Sequence, residues 1–491
     1  MSKGKKLTKI ERLEEARNAY KWWEAEELPE GVNWRSLEHG GVVFAPLYVK
    51  HNVKLLYDGK PVDLSPDEEE IATFFAAMPL DGPQLGNPKT RPVFEKNFFK
   101  GFTEVLPPGH TIQSFEKCDF SLIREHLNMQ KDLKKAATAE EKNVKKKEKE
   151  ALALRHGYAL IDGRMEKVGN YNMEPPGLFR GRGDHPLTGT LKKRCYSEAV
   201  SINISEDACP PRALLPGHAW ATVQHDPAVT WLCSWVENVQ ESNKYVMLSA
   251  SSSFKGKSDM LKYQKAIDLK GCIGKVRKDY SSKIQGHDKD DKQMGTAMWV
   301  IDKLALRVGG EKGEDEADTV GCCSLRKEHL TFNQEKDSYE IELEFKGKDS
   351  MLYKQTINFA SPQYGDLGKK VYHCLKSFCA GKDEEDDVFE TLNPTILNKH
   401  LTSLMKGLSA KVFRTYNASV TLEAELPESK DLVGLTIQEK VAKYNAANRE
   451  VAILCNHQKT VSKATEVMFE SLHGKLETLQ KQRRELIKYG S

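Results

Sequence analysis

Residues 451–458 read VAILCNHQ, five apolar residues running directly into Asn456, His457 and Gln458. A histidine in that position either caps a core segment, its ring satisfied by a backbone partner, or faces a ligand. Three more cations stand where apolar patterning places the edge of a core. Arg307 closes VIDKLALR just before a glycine pair, Lys348 occupies the turn KGKDS, and Arg414 interrupts the helical pattern of AKVFRTYNAS. Each alone fits a salt bridge or a surface position. As a set they have a definite chemistry: two guanidinium forks and an imidazole can hold the non-bridging oxygens of a phosphodiester while a lysine ammonium protonates a leaving oxygen. That is equipment for phosphoryl transfer. No Asp/Glu cluster with metal spacing accompanies it, so side chains rather than magnesium would balance the charge, and no metal cofactor is expected. ATP is excluded on similar grounds. The nearest approach to a phosphate loop, SSSFKGKSD, has Ser251 where a glycine is needed, and no strongly apolar strand feeds it.

The chain that must position these groups has 491 residues, 39% hydrophobic and 30% charged. At ~100 to 200 residues per domain it holds about two to four globular units, diluted by solvated helices or arms. A net charge of +3 excludes a uniformly basic protein and leaves room for a basic face balanced elsewhere. The ten cysteines show no CxxC and no paired His spacing, so reduced thiols and an intracellular compartment are expected. No apolar run approaches the ~20 residues of a membrane span, and MSKGKKLTKI lacks a secretory apolar stretch. SKGKK fits either a fragment of a nuclear address or a solvated tail.

Residues 1–27 read as a charged segment. From Trp34, GVVFAPLYV and VKLLYDGKPVDL read as strands and hairpins, and SPDEEEIATFFAAM as a Ser-capped helix. Residues 119–155, dense in Lys and Glu, read as one or two long exposed helices, either simply solvated or facing a polyanion. Strand character returns in YSEAVSINIS and AVTWLCSWVENV. Residues 255–457 read as mainly helical, interrupted by a β-hairpin across KGKDS, and ASPQYGDLGKKVYHC reads as an insertion after it. In residues 461–489, Met468, Leu472, Leu479 and Leu486 recur at spacings of four and seven, a narrow seam for one partner helix.

EPPGLFRGRGDHP (174–186), IDKLALRVGGEK (301–312), ADTVGCCSLR (317–326), KGKDS (346–350), ILNKHL with AKVFRTYNAS (396–419) and ANREVAILCNHQ (447–458) resemble the core of the eukaryotic type IB DNA topoisomerases. The likeness runs in the family's order from about residue 20 to 460. It implies an α+β fold: a bilobed DNA clamp with a mixed α/β cap lobe and a mainly helical catalytic lobe of the tyrosine recombinase and type IB topoisomerase type. The implied organisation is a charged segment over 1–27, a cap lobe over 28–252, a catalytic lobe over 253–459 and a linker helix over 460–491.

By the same resemblance Arg307 and Arg414 match the catalytic arginines, Lys348 the general acid and His457 the catalytic histidine. His457 would then project from the end of a packed helix held rigid by the apolar run. Lys192, Lys244, Lys312 and Lys411 are implied phosphate contacts. Asn456 and Gln458 flank the histidine on the DNA side. Arg182 and Asp349 match positions beside the cleaved step, where camptothecin-type inhibitors lodge. The glycines of GLFRGRG would alternatively serve only a turn with positive φ.

One departure matters. The family's nucleophile is a tyrosine in Ser-Lys-x-x-Tyr after a coiled-coil linker, whereas SKATE at 462–466 has no tyrosine and Tyr489 ends a helical stretch. The expectation is therefore a large subunit of the trypanosomatid (kinetoplastid) two-subunit form, with the tyrosine on a small subunit. A chain cut before the tyrosine domain is the other account. Duplex DNA, the small subunit and camptothecin-type inhibitors are the implied partners, with no membrane, no ATP and no essential metal. The nucleus is the implied location, with a mitochondrial (kinetoplast) pool as a second. A tyrosine recombinase and a non-catalytic DNA clamp are the rival functions.

Overall fold

The structure is a computed structural model that describes residues 11, 15, 21–24, 28–213, 217–310, 312–313, 315–335, 337–457 and 463–489. Most of the expected 1–27 segment, together with Gln458, lies outside the described residues. The chain is α+β. It divides into two compact units, residues 1–265 with 311–320 and 348–350, and residues 266–310 with 321–347 and 351–491.

In the first unit short strands alternate with helices. These strands are β1 (Leu37–His39), β2 (Leu55–Tyr57), β3 (Lys60–Val62), β4 (Cys118–Asp119), β5 (Tyr158–Ile161), β6 (Arg164–Lys167), β7 (Gly177–Leu178), β8 (Leu191–Lys192), β9 (Ser201–Asn203), β10 (Thr222–Gln224), β11 (Cys233–Val236) and β12 (Asn243–Val246). They form sheets of order β1-β5-β6, β3-β2-β4, β7-β8 and β10-β9-β11-β12. Helix α1 (Pro66–Ala76) starts as the sequence predicts: the Ser65 hydroxyl accepts from the Glu68 N–H, the Glu68 carboxylate accepts from the Ser65 N–H, and Pro66 follows. With α2 (Arg91–Thr103) it builds a core of stacked rings in which Phe75 and Phe98 lie 4.4 Å apart. Burying such side chains stabilises the fold by about 1.5 to 3 kcal/mol each. A second core gathers Trp34, Leu37, Ile161, Val200, Ile202 and Val246.

The Lys/Glu-rich stretch is two helices, α3 (Ser121–Lys135) and α4 (Ala139–His156), and α4 buries no residue. The strand reading of GVVFAPLYV is corrected: beyond an isolated bridge from Val43 to Asn172 no ladder forms there. Pro46 has no N–H to offer one. Side chains hold the loop instead. Arg194 donates to the Ala45 and Pro46 carbonyls at 3.1 and 2.7 Å, and Glu69 accepts from the Tyr48 hydroxyl at 2.9 Å and the His51 N–H at 2.6 Å.

Helix α5 (Ser253–Gln285) contributes residues to both units. The sequence reading did not single it out, because its glycines and weak apolar stripe blur the helical period. The second unit centres on α6 (Lys289–Leu304), whose Asp288 cap accepts from the Asp291 N–H and whose stretch Gln293–Asp302 is buried on all faces. Around it lie α7 (Gly365–Cys379), α8 (Pro394–Leu404), α9 (Ala410–Glu425), α10 (Ile437–Leu454) and α11 (Lys463–Tyr489). The sheet is β13 (Leu330–Phe332), β14 (Glu340–Lys346) and β15 (Leu352–Asn358), antiparallel, with Lys346 opposite Leu352 at the hairpin end.

The stretch ASPQYGDLGKKVYHC, residues 360–374, leads into a helix of the second unit. From Gly365 it is α7, which buries Gly368, Val371, Tyr372 and Cys374. On α11, Met468, Leu472 and Leu479 are exposed; the side chains of Leu486 and Tyr489 lie outside the described residues.

Candidate active site

Arg414 is the hub of the site. Flanked on α9 by the buried Val412, Phe413 and Tyr416, it is itself only partly buried. One terminal nitrogen donates to the Ala305 carbonyl and the other to the Cys455 carbonyl at 3.0 Å. Ala305 and Cys455 are the C-caps of α6 and α10. A helix C-terminus carries roughly half a negative charge, so the guanidinium sits between two negative helix ends. Burial lowers its pKa, the neighbouring Cys455 opposes that, and the Arg307 charge adds to it. An arginine stays charged regardless. Of its five N–H donors, two engaged with carbonyls leave three for a ligand.

The helices around Arg414 are fixed by a buried carboxylate. Asp302, on α6, takes Arg277 of α5 at 3.0 Å and the Tyr280 hydroxyl at 2.9 Å. One turn beyond Arg414, the Asn417 amide donates to the Asp302 carbonyl at 2.5 Å. Three helices are thus locked where α6 ends.

Arg307 follows that end. Ala305, at φ 51°, turns the chain out of the helix in the left-handed region. The next residues are pinned by two backbone bonds, Cys322 N–H to Arg307 O at 2.8 Å and Cys323 N–H to Val308 O at 2.7 Å. Gly309 (φ +72°) crosses Gly321 so closely that a Cβ on Gly309 would lie 2.6 Å from the Gly321 Cα. Only glycine fits both sides of this crossing. The backbone is clamped and the Arg307 side chain is left exposed.

His457 is held by a different device. Asn456, at φ 47°, is left-handed. The Asn456 N–H bonds to Ile453 O at 3.0 Å and the His457 N–H to Ala452 O at 2.8 Å. This is the paired bonding of a Schellman ending, with asparagine at the position glycine usually takes. The expectation of a packed apolar run is corrected: of VAILC only Cys455 is buried, and Ile453 is 55% exposed. Rigidity comes from the turn and from Arg414 gripping the Cys455 carbonyl. The imidazole is exposed, and its pKa is lowered first by desolvation and then by the Arg414 and Arg307 charges. The second unit therefore brings Arg307, Arg414 and His457 into one electrostatic neighbourhood. Tyr353, buried on β15, borders it and feels the Arg414 charge.

Lys348 is exposed in the five-residue connection of the β14–β15 hairpin, closed by Gly347 N–H to Met351 O at 2.8 Å. Asp349 and Ser350 are both left-handed, at φ 65° and 57°. Residues 348–350 pack with the first unit, where Asp349 pairs with Arg182 and the Ser350 hydroxyl donates to Arg182 O at 3.3 Å. Gly181 and Gly183, on either side of Arg182, are left-handed, so GLFRGRG does use its glycines as a turn and leaves Arg182 exposed.

Of the remaining candidates, Lys192 on β8 pairs with Glu174, Lys244 is half-buried on β12, and Lys312 pairs with Glu316 at 3.4 Å. Lys411 is exposed three residues before Arg414 on α9. The Asn456 amide donates to Leu352 O at 3.2 Å. Sequence reasoning missed the two helix-end carbonyls, the Gly309–Gly321 crossing and the anchoring Cys322 and Cys323. A signal for the His457 turn was available: asparagine directly after a helical apolar run marks a left-handed C-cap.

Two family profiles match the chain, "Eukaryotic DNA topoisomerase I, DNA binding fragment" over residues 32–248 and "Eukaryotic DNA topoisomerase I, catalytic core" over residues 251–489. The chain is 46% identical over 463 residues to DNA topoisomerase 1 of Drosophila melanogaster, covering 93% of this chain and 46% of that protein. It is 46% identical over 475 residues to the Schizosaccharomyces pombe protein of that name, covering 96% and 56%. The Homo sapiens protein is 45% identical over 467 residues, covering 94% and 59%. The chain thus belongs to the eukaryotic DNA topoisomerase I family, and it spans about half the length of the curated relatives it matches.

Proposed function

We propose that this chain carries the phosphate-activating half of a type IB DNA topoisomerase, relaxing supercoiled duplex DNA without ATP or an essential metal. The observation that carries the reading is the gathering of Arg307, Arg414 and His457 around the joined ends of α6 and α10. Fixed positive donors of this kind stabilise charge that develops on a phosphorane, and losing one commonly costs on the order of 10² to 10³ in rate.

In the proposed reaction a tyrosine phenol attacks a backbone phosphorus and gives up its proton to solvent water. The new phosphorus–oxygen bond links tyrosine to the 3′ side, the bond to the 5′ oxygen breaks, and Lys348 protonates that leaving oxygen. The free end rotates, and the reverse step reseals it. The phosphotyrosine bond stores the energy of the broken linkage, so no nucleotide is consumed. The arginines and His457 would carry the charge that a metal ion carries elsewhere.

We assign the nucleophile, a tyrosine in a Ser-Lys-x-x-Tyr motif, to a separate small subunit, as in the kinetoplastid two-subunit form. In this reading Lys192, Lys244, Lys312, Lys411, Asn456 and Gln458 border the duplex, and Arg182 and Asp349 flank the cleaved step, where camptothecin-type inhibitors would lodge. The compartment is the nucleus, with a kinetoplast pool. Among the described residues no helix is long and apolar enough to cross a membrane.

The test is plasmid relaxation by residues 1–491 with and without a tyrosine-bearing small subunit. Relaxation only with the subunit, unaffected by a chelator, supports the reading; relaxation by this chain alone contradicts it. The acid role of Lys348 is tested with a 5′-bridging phosphorothiolate, whose sulfur leaves without protonation. Lys348→Ala should be slow on the oxygen substrate and near wild type on the sulfur one.

A further inference from the structure

Asn456 separates into two parts. Its backbone, at φ 47°, turns the chain off α10 so that His457 closes the Schellman ending. Its side-chain amide reaches away from that turn and donates to the Leu352 carbonyl at 3.2 Å. Leu352 is the first residue of β15, paired across the hairpin with Lys346. The amide therefore ties the exposed histidine-bearing turn to the end of the sheet.

That tie matters because the turn ends a helix with little burial of its own. Most of α10 is solvated, and Ala447 is its only buried residue among those described. The turn itself is held by the Arg414 bond to Cys455 O on one side and by the Asn456 amide bond to Leu352 O on the other. Glycine would take the left-handed backbone more cheaply than asparagine. What asparagine adds is the amide.

We infer that Asn456 is a positioning residue for His457, acting through its amide bond to the Leu352 carbonyl, rather than a phosphate ligand. This rests on the proposed role of His457 at the scissile phosphate. The inference changes what substitution should do. A phosphate ligand affects DNA affinity; a positioning residue affects the cleavage step and the surroundings of the imidazole.

The experiment uses the full chain with its tyrosine-bearing partner and the variants Asn456→Gly, Asn456→Ala and His457→Ala. Asn456→Gly keeps the left-handed turn and removes the side chain that bears the amide. It is expected to slow single-turnover cleavage about five- to tenfold, the scale of one lost hydrogen bond. DNA affinity should stay within about twofold of wild type. Asn456→Ala, which also strains the backbone, should be slower still. His457, followed by NMR of labelled histidine and assigned with His457→Ala, should titrate closer to an ordinary imidazole in Asn456→Gly as the ring moves from Arg307 and Arg414. A merely structural loss would not move that midpoint. Wild-type cleavage with an unmoved midpoint overturns the inference, and so does weakened DNA binding with an intact cleavage step. If His457→Ala itself cleaves like wild type, the reading of the site fails first, which keeps the two failures distinguishable.

Discussion

Replacing Arg414 by lysine keeps the charge and removes the fork, and the structure sets the size of both effects. The guanidinium holds the Ala305 and Cys455 carbonyls at once. An ammonium at the end of a flexible stem serves one of them and has no second arm for the other. Hydrogen bonds to charged groups contribute about 1.5 to 3 kcal/mol each, and a half-buried position takes the lower end of that range. Arg414→Lys should therefore lose about 1.5 kcal/mol of stability, and Arg414→Ala about twice that. The kinetic loss is larger. The lysine cannot hold both helix ends and also present donors to a phosphate, so cleavage should fall by about 10² to 10³. The assay is single-turnover cleavage of a nicked or suicide duplex with the tyrosine-bearing partner in excess, alongside denaturant midpoints of both variants. Cleavage by Arg414→Lys within about threefold of wild type, at unchanged DNA affinity, would refute the reasoning.

Other expectations follow from the same geometry. Gly309→Ala should cost at least about 1 kcal/mol from its left-handed φ alone, and more from the Gly321 crossing. It should also displace Arg307, lowering cleavage more than DNA binding. His457 should titrate below the ordinary value of about 6.5, and Arg307→Gln should move the midpoint upward by removing one repelling charge. Burial lowers the pKa of His39, whose ring nitrogens bond to the Asn203 carbonyl and the Gly41 N–H. Between its folded pKa and about 6.5 the unfolded chain binds the extra proton, so stability is full above that window and falls as pH drops through it. His39→Gln should flatten that dependence of the denaturant midpoint. Finally, Lys192→Met should reduce the salt slope of DNA binding by about 0.9, the share of one phosphate contact.

Periodicity and turn chemistry carried much of the architecture. The Ser65 helix start, the charged helices and the hairpin at KGKDS all follow from local patterns, because capping and alternation are local causes. α5 and α7 were obscured for a physical reason. Their glycines and charges dilute the apolar period, and only packing shows that Gly368 and Val371 face a core. The site divides in the same way. The residue types of Arg307, Arg414 and His457 suggested phosphate chemistry from the sequence alone. What positions them did not show there, because it is made of backbone: two helix-end carbonyls, a left-handed Asn456 and a glycine crossing between residues 309 and 321. Backbone groups are the same for every residue type and leave little trace in a sequence.

The most direct test is to trap the covalent intermediate. Residues 1–491 and the tyrosine-bearing partner are incubated with a suicide duplex labelled on the 3′-phosphate side, and the labelled polypeptide is digested and sequenced. The account predicts a phosphotyrosine on the partner, formed only when Arg307, Arg414 and His457 are intact on this chain. A label on any tyrosine of residues 1–491, or an adduct that forms equally well with those three side chains removed, would contradict it.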